Sequence, residues 1–318
     1  MLTGLFAGIC WALETVVLGY ALGMSPFVST PQAILLAPFV STFLHDLFSA
    51  MFMLLLTLIR GEFGRFAASL RDPGLKWLIL ASAVGGPMGM SGYVLAVRYM
   101  GSAIGAVASA VYPAVGTVLA CIFLREKVRW YQWIFLMLTL SGVYGLSFSS
   151  SIVIENFWLG LIGAAMCAFG WGIEAVILSK CFRSSALRND FALTVRQSVS
   201  ALIYGILILP CLGGWGFTAE FAAERNFTLF GIIAIAGIFA AVSYLFYYKA
   251  IEKNGAARAM ALNITYTAWA ILFTVLFYRD LSILSPQTMI CAAIVVICGI
   301  LAASDLPSFT ARSTGKKL

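Results

Sequence analysis

Residues 2–22 read LTGLFAGICWALETVVLGYAL, twenty-one positions whose only charge is Glu14. A helix rises 1.5 Å per residue, so about 20 mainly apolar residues cross the roughly 30 Å of bilayer hydrocarbon. This stretch therefore predicts a membrane-spanning helix. It begins without a basic leader and no cleavage site follows it, so it is taken as span one and not a signal peptide.

The pattern recurs along the chain. Further apolar runs at 34–59, 76–98, 102–124, 130–148, 156–180, 190–213, 227–251, 256–278 and 284–303 predict ten spans, separated by short loops with turn chemistry and charge such as Asp72-Pro73-Gly74, Arg125-Glu126-Lys127 and Asn254-Gly255. Composition agrees: 62% hydrophobic, 10% charged, mean hydropathy +0.98. Soluble domains carry about 25% charged residues, and an alternating barrel pattern is absent. The predicted fold is an all-α integral membrane protein.

The net charge of +7 does not indicate nucleic acid, because the basic residues sit in the loops. With the N-terminus on the cytoplasmic side, sixteen Lys and Arg fall in cytoplasmic loops and tail, and three (Arg98, Arg225 and Arg279) fall opposite. Both termini are thus expected in the cytoplasm. The seven cysteines are irregularly spaced within apolar runs and read as small apolar side chains. No cofactor or metal motif is evident. A single His and no recurring Asp, Ser or metal-ligand cluster in the spans argue against an intramembrane enzyme.

The chain repeats itself. Trp11-x-x-Glu14 in span one returns 160 positions later as Trp171-x-x-Glu174 in span six. Tyr93-x-x-Ala96 returns as Tyr247-x-x-Ala250, Ser109-x-x-Tyr112 as Asn263-x-x-Tyr266, and Leu124-Arg125-Glu126 as Tyr278-Arg279-Asp280. Five spans per half is an odd number, so the second half enters the membrane upside down. The expected architecture is ten transmembrane helices as two inverted five-helix repeats, 1–150 and 151–303, followed by a basic cytoplasmic tail, 304–318. Inverted repeats are the architecture of secondary transporters, with the substrate site near the midplane between the halves.

Residues at i, i+3 and i+4 share a helix face. Trp11 projects with Glu14, and Trp171 with Glu174. Span eight carries a stripe of Tyr244, Tyr247 and Tyr248; span nine offers Asn263, Tyr266 and Trp269; span four offers Ser109 and Tyr112. Inverted symmetry brings spans one and six together, predicting a central cavity walled by Trp and Tyr with carboxylates nearby. That chemistry suits an organic cation, since a quaternary ammonium has no N–H to donate and is held by aromatic faces and diffuse negative charge. The competing view makes Trp and Tyr interfacial belts, which is preferred for Trp130, Tyr131, Trp133 and Trp158 near span ends. Glu14 and Glu174 also admit a structural role as hydrogen-bonded groups. His45 and Asp46 in span two and Arg196 in span seven are charges inside spans, either an internal ion pair or a gating and proton-relay set. As neighbours in sequence, His45 and Asp46 are expected to face different partners, and Arg196 needs a buried anion such as Asp46 or Glu174. Gly101–Ala106 and Gly255-Ala256-Ala257 predict close helix approach. Gly85-Gly86-Pro87 and Tyr112-Pro113 predict kinks.

The ten-span plan and the segment from Tyr93 to Glu126 resemble the EamA-like drug/metabolite transporter superfamily. Within it, the chain is similar to bacterial choline transporters through His45-Asp46-Leu47-Phe48-Ser49, Gly86-Pro87-Met88-Gly89-Met90, Ala96–Ser102, Ser109–Ala114, Trp171-Gly172-x-Glu174, Arg196-Gln197, Ser243-Tyr244-Leu245, Tyr247-Tyr248 and Asn263-x-x-Tyr266. The resemblance implies a bacterial cytoplasmic membrane protein that imports choline through an aromatic-walled cavity. Carried over, Trp11, Trp171, Tyr112, Tyr247 and Trp269 would surround the trimethylammonium, with Glu174 as the anionic partner. Glu14 departs from the family pattern, where a small residue is expected. An exporter of amino acids or other metabolites is the alternative. It would want a positive side chain in the cavity, and Arg196 is the mid-span candidate.

Overall fold

The structure, a computed structural model, describes residues 1–147, 155–223 and 226–306, without the side chains of 101–104, 106 and 221. The expected repeat boundary at 150/151, Arg225, and the tail beyond 306 lie outside the described residues.

Helix follows helix, and the described residues contain no strand. α1 spans Leu2–Leu22, α2 Pro31–Ile59, α3 Phe63–Ser69 and α4 Leu75–Ala83. A π-helical turn, Val84–Met88, joins α4 to α5, Gly89–Ser109, and α6 covers Tyr112–Leu124. α7 (Trp130–Ser147), α8 (Phe157–Ser184) and α9 (Asn189–Ile203) follow, and a second π turn, Tyr204–Ile208, leads to α10 (Leu209–Leu212) and α11 (Gly214–Ala223). α12 (Phe227–Asn254), α13 (Ala256–Asn263), α14 (Tyr266–Tyr278), a 3₁₀ turn at Leu281–Ile283 and α15 (Pro286–Ala303) complete the chain.

Among the described residues, nine helical stretches are long and apolar enough to cross a bilayer. The protein is a multi-pass membrane protein. The predicted span at 130–148 is present as α7 but falls outside those nine, because it opens on Trp130-Tyr131-Gln132-Trp133. Predicted spans three and four meet within α5, where the chain doubles back. Gly105 packs on the backbone of Ala96 and Val97, an approach that a straight helix nine residues long would forbid.

Several helix ends are satisfied by side chains, a need that a hydrocarbon surround sharpens. Thr30 Oγ1 accepts from Ala33 N at 3.0 Å with Pro31 beside it, which moves the start of α2 ahead of the predicted residue 34. Asn156, Asn226 and Ser285 cap α8, α12 and α15 in the same way. Glu126 reaches across to α13, accepting from the amides of Ala256 (3.1 Å) and Ala257 (3.2 Å) and from Arg183 Nη2 at 2.7 Å. Arg125 and Arg279 both adopt φ 54°, ending α6 and α14 with the same left-handed turn.

Two predicted kinks are helix breaks of a different kind. Pro87 sits in the π turn, and Pro113 stands in the first turn of α6, after an interruption at Ala110 and Val111. The interruption between α13 and α14 falls at Ile264 and Thr265. α3 and α11 were not expected from the sequence. The second is anchored by Trp215, whose Nε1 donates to Gly205 O at 2.8 Å and whose ring meets Phe43 at 5.3 Å. The start of the basic tail is docked: Gln132 Nε2 donates to Ser304 O at 3.1 Å, and Arg129 lies 3.2 Å from Asp305.

Packing is pairwise. α1 lies along α12 and touches α14; α8 lies along α5 and touches α6; α2 meets α9, and α7 meets α15. The α5–α8 crossing is close because Gly92 and Gly163 put backbone on backbone, and a Cβ on either would come within 2.6–2.7 Å of the other helix. Large apolar side chains such as Phe123 and Leu276 remain exposed on the outer faces. Trp130 and Trp158 are exposed too, as belt residues would be, whereas Tyr131 and Trp133 pack inward, Tyr131 contacting Ser304 and Leu306. On the Lys/Arg-rich face, Arg188 holds Glu62 at 2.7 and 2.9 Å, and this keeps the Glu62 carboxyl below the usual carboxylate range.

Candidate functional site

A cavity of about 460 Å³, its mouth included, lies among α1, α6, α8, α12, α13 and α14. Trp11, Tyr112, Trp171, Glu174, Tyr247 and Tyr266 line it, so six of the eight side chains expected to contact substrate share one space. Ser243, Tyr244 and Asn263 also line it and were not in that expected set. The stripe at 244, 247 and 248 carried the signal for Tyr244. Ser243 was marked only by the resemblance of Ser243-Tyr244-Leu245, and its Oγ donates to Ala7 O (2.8 Å), joining α12 to α1.

The aromatic walls are fixed by edge contacts. Trp11 meets Tyr244 at 5.1 Å and Tyr266 at 6.5 Å between ring centroids, both nearly perpendicular. Trp171 meets Tyr112 at 5.3 Å edge-on and stacks with Tyr93 at 6.1 Å. Each contact of this kind adds about 0.5–1.5 kcal/mol beyond burial and locks ring orientation. Asn263 Nδ2 donates to Tyr112 OH at 3.1 Å.

The two glutamates differ. Glu174 stands on the cavity wall, where its Oε1 accepts from Arg196 Nε (3.0 Å) and lies 3.5 Å from Tyr248 OH. Its carboxylate rests against Gly85, where any Cβ would overlap it, so the glycines of the π turn make its room. Glu14 is buried but off the cavity wall, 3.3 Å from His45 Nε2. Trp269 does not line the cavity either, and its Nε1 is buried without a hydrogen-bond partner among the described residues.

His45, Asp46 and Arg196 link these acids. His45 Nδ1 is 2.9 Å from Asp46 Oδ1, so the neighbours expected to face apart curl together, while each also reaches a partner of its own. Asp46 Oδ2 is 3.6 Å from Arg196 Nη1, an ion-pair distance and not a hydrogen bond. Arg196 also donates to Gln197 Oε1 (2.6 Å) and Tyr244 OH (3.0 Å), and Gln197 in turn donates to Ser49. A buried chain therefore runs Glu14–His45–Asp46–Arg196–Glu174, three acids against one guanidinium and one imidazole. Arg196 finds both acids expected of it and is 2% exposed. Breaking such a buried pair by removing one partner costs about 3–5 kcal/mol.

A profile of the EamA-like transporter family matches residues 1–148. Protein LicB of Haemophilus influenzae is 30% identical over 282 residues, covering 88% of this chain and 89% of that protein. This chain belongs to the EamA-like transporter family. Its relatives make it a transporter and not an enzyme. A solved crystal structure sharing 16% identity superposes with a TM-score of 0.72, covering 97% of both chains, so the EamA-like chain shares that fold from end to end.

Proposed function

We propose that this transporter imports choline or a related quaternary ammonium compound by alternating access, driven by the membrane potential or a proton gradient. The observation that carries this is the cavity: six aromatic side chains around one carboxylate. Four cation–π contacts of about 2 kcal/mol each approach the roughly 8 kcal/mol of a micromolar complex. The resemblance to bacterial choline transporters supports the same substrate class. A cation entering a negative-inside cell gains about 2.3 kcal/mol per 100 mV. Trp11, Tyr112, Trp171, Tyr247 and Tyr266 are the proposed cage, and Glu174 its anion.

Glu14, His45, Asp46 and Arg196 are proposed as the coupling set, standing behind the cage. The buried chain holds a surplus of negative charge, which a substrate cation or a proton would offset. The rocking elements are proposed to be two inverted repeats. Supporting this, α1 packs on α12 and α14 as α8 packs on α5 and α6, and the breaks at 110–111 and 264–265 precede equivalent tyrosines. Both termini are proposed to face the cytoplasm of a bacterial inner membrane, from the Lys/Arg distribution. The metabolite-exporter reading is weaker because Arg196 pairs with two acids and is absent from the cavity wall.

Uptake into proteoliposomes tests this. An inside-negative potassium diffusion potential should drive saturable choline accumulation that collapses with the potential. Outward amino-acid flux with no choline uptake would favour the exporter.

A further inference from the structure

Resting on the quaternary-ammonium reading, we propose that the cavity selects by net charge: it takes cations and rejects zwitterions that carry the same trimethylammonium head and a carboxylate. The selecting device is the sealing of Arg196 by Glu174 and Tyr244.

A zwitterion's carboxylate, once stripped of water, needs a cationic partner. Among the described residues, the cavity wall carries one charged side chain, and it is the acid Glu174. The nearest guanidinium, Arg196, lies directly behind the wall and is committed elsewhere. Its Nε donates to Glu174 at 3.0 Å, Nη1 to Gln197 at 2.6 Å with Asp46 at 3.6 Å, and Nη2 to Tyr244 OH at 3.0 Å. Its Cζ also sits 4.6 Å from the Tyr244 ring centroid, so the guanidinium lies close behind a wall residue whose hydroxyl caps Nη2. The remaining wall offers phenols, indoles, a serine and the Asn263 amide, which suit a neutral hydroxyl. A substrate carboxylate would find only these neutral groups and would share the cavity with Glu174, a like charge.

Tyr244 is thus a specificity residue by virtue of its hydroxyl. Removing that oxygen uncaps a guanidinium N–H towards the cavity and gives a carboxylate something to meet.

The experiment is competition against radiolabelled choline in proteoliposomes, with tetramethylammonium, trimethylglycine, carnitine and the methyl ester of trimethylglycine as competitors. The ester keeps the shape of trimethylglycine and restores its positive charge. Tetramethylammonium and the ester should compete within tenfold of choline, and trimethylglycine and carnitine should be more than tenfold weaker. Trimethylglycine within tenfold of choline, or within threefold of its methyl ester, would overturn charge selection while leaving choline transport standing. No saturable choline signal at all would overturn the functional reading and this inference with it. In Tyr244→Phe, the ratio of trimethylglycine to choline affinity should rise at least threefold. A general packing defect would weaken both ligands together, so an unchanged ratio in a folded variant would overturn the sealing of Arg196 as the cause. Glu174→Gln supplies the second variant, with the ratio shifting in the same direction.

Discussion

Glu14 and Glu174 stand at matching positions of one repeated motif, three residues after a tryptophan, and the fold gives them different surroundings. Glu174 reaches the cavity wall because Gly85 leaves space for its carboxylate and Arg196 and Tyr248 hold it there. Glu14 meets His45 of α2 and stays off the wall. The tryptophans, by contrast, remain equivalent: each turns edge-on to a tyrosine of the interrupted helix opposite, Trp11 to Tyr266 and Trp171 to Tyr112. Shared helix-face geometry decides where a side chain points, and the neighbouring helix decides what it can do there.

The comparison is most severely tested at Glu174. Glu174→Ala leaves Arg196 with Asp46 as its one remaining acid among the described residues, and should lower stability by about 3–5 kcal/mol. Choline binding should weaken by at least a hundredfold, read by thermal unfolding and titration of the folded fraction. Trp11→Ala comes next: loss of one good cation–π face, about 1–2 kcal/mol, is a five- to thirtyfold weaker choline affinity. Glu14→Gln should leave affinity within threefold but alter how uptake responds to an imposed proton gradient. Equal loss of affinity from Glu14→Gln and Glu174→Gln would erase the difference between the two acids. Trp269→Phe should have the smallest effect, within twofold on choline affinity.

Much of this was legible in the sequence because its signals are local. Apolar runs marked the spans, and spacing of three or four placed Trp11, Tyr112, Trp171, Tyr247 and Tyr266 on inward faces. What escaped depends on contacts between helices. Nothing near Glu14 in sequence announces His45 thirty-one residues on, and nothing in Gly85-Gly86-Pro87 says that its bend is a π turn shaped around the Glu174 carboxylate. Trp269 follows Tyr266 by the same interval that places Glu174 after Trp171, yet it lies off the cavity. Short helices such as α11 escaped because their anchor, Trp215 on Gly205, is a tertiary hydrogen bond.

The most direct test is calorimetric titration of choline into the purified protein and into its Glu174→Gln and Glu14→Gln variants. One-site, micromolar binding is predicted, weakened at least tenfold but still measurable in Glu174→Gln and retained within threefold in Glu14→Gln. Absence of saturable heat in the unmodified protein, or retention of full affinity by Glu174→Gln, would contradict it.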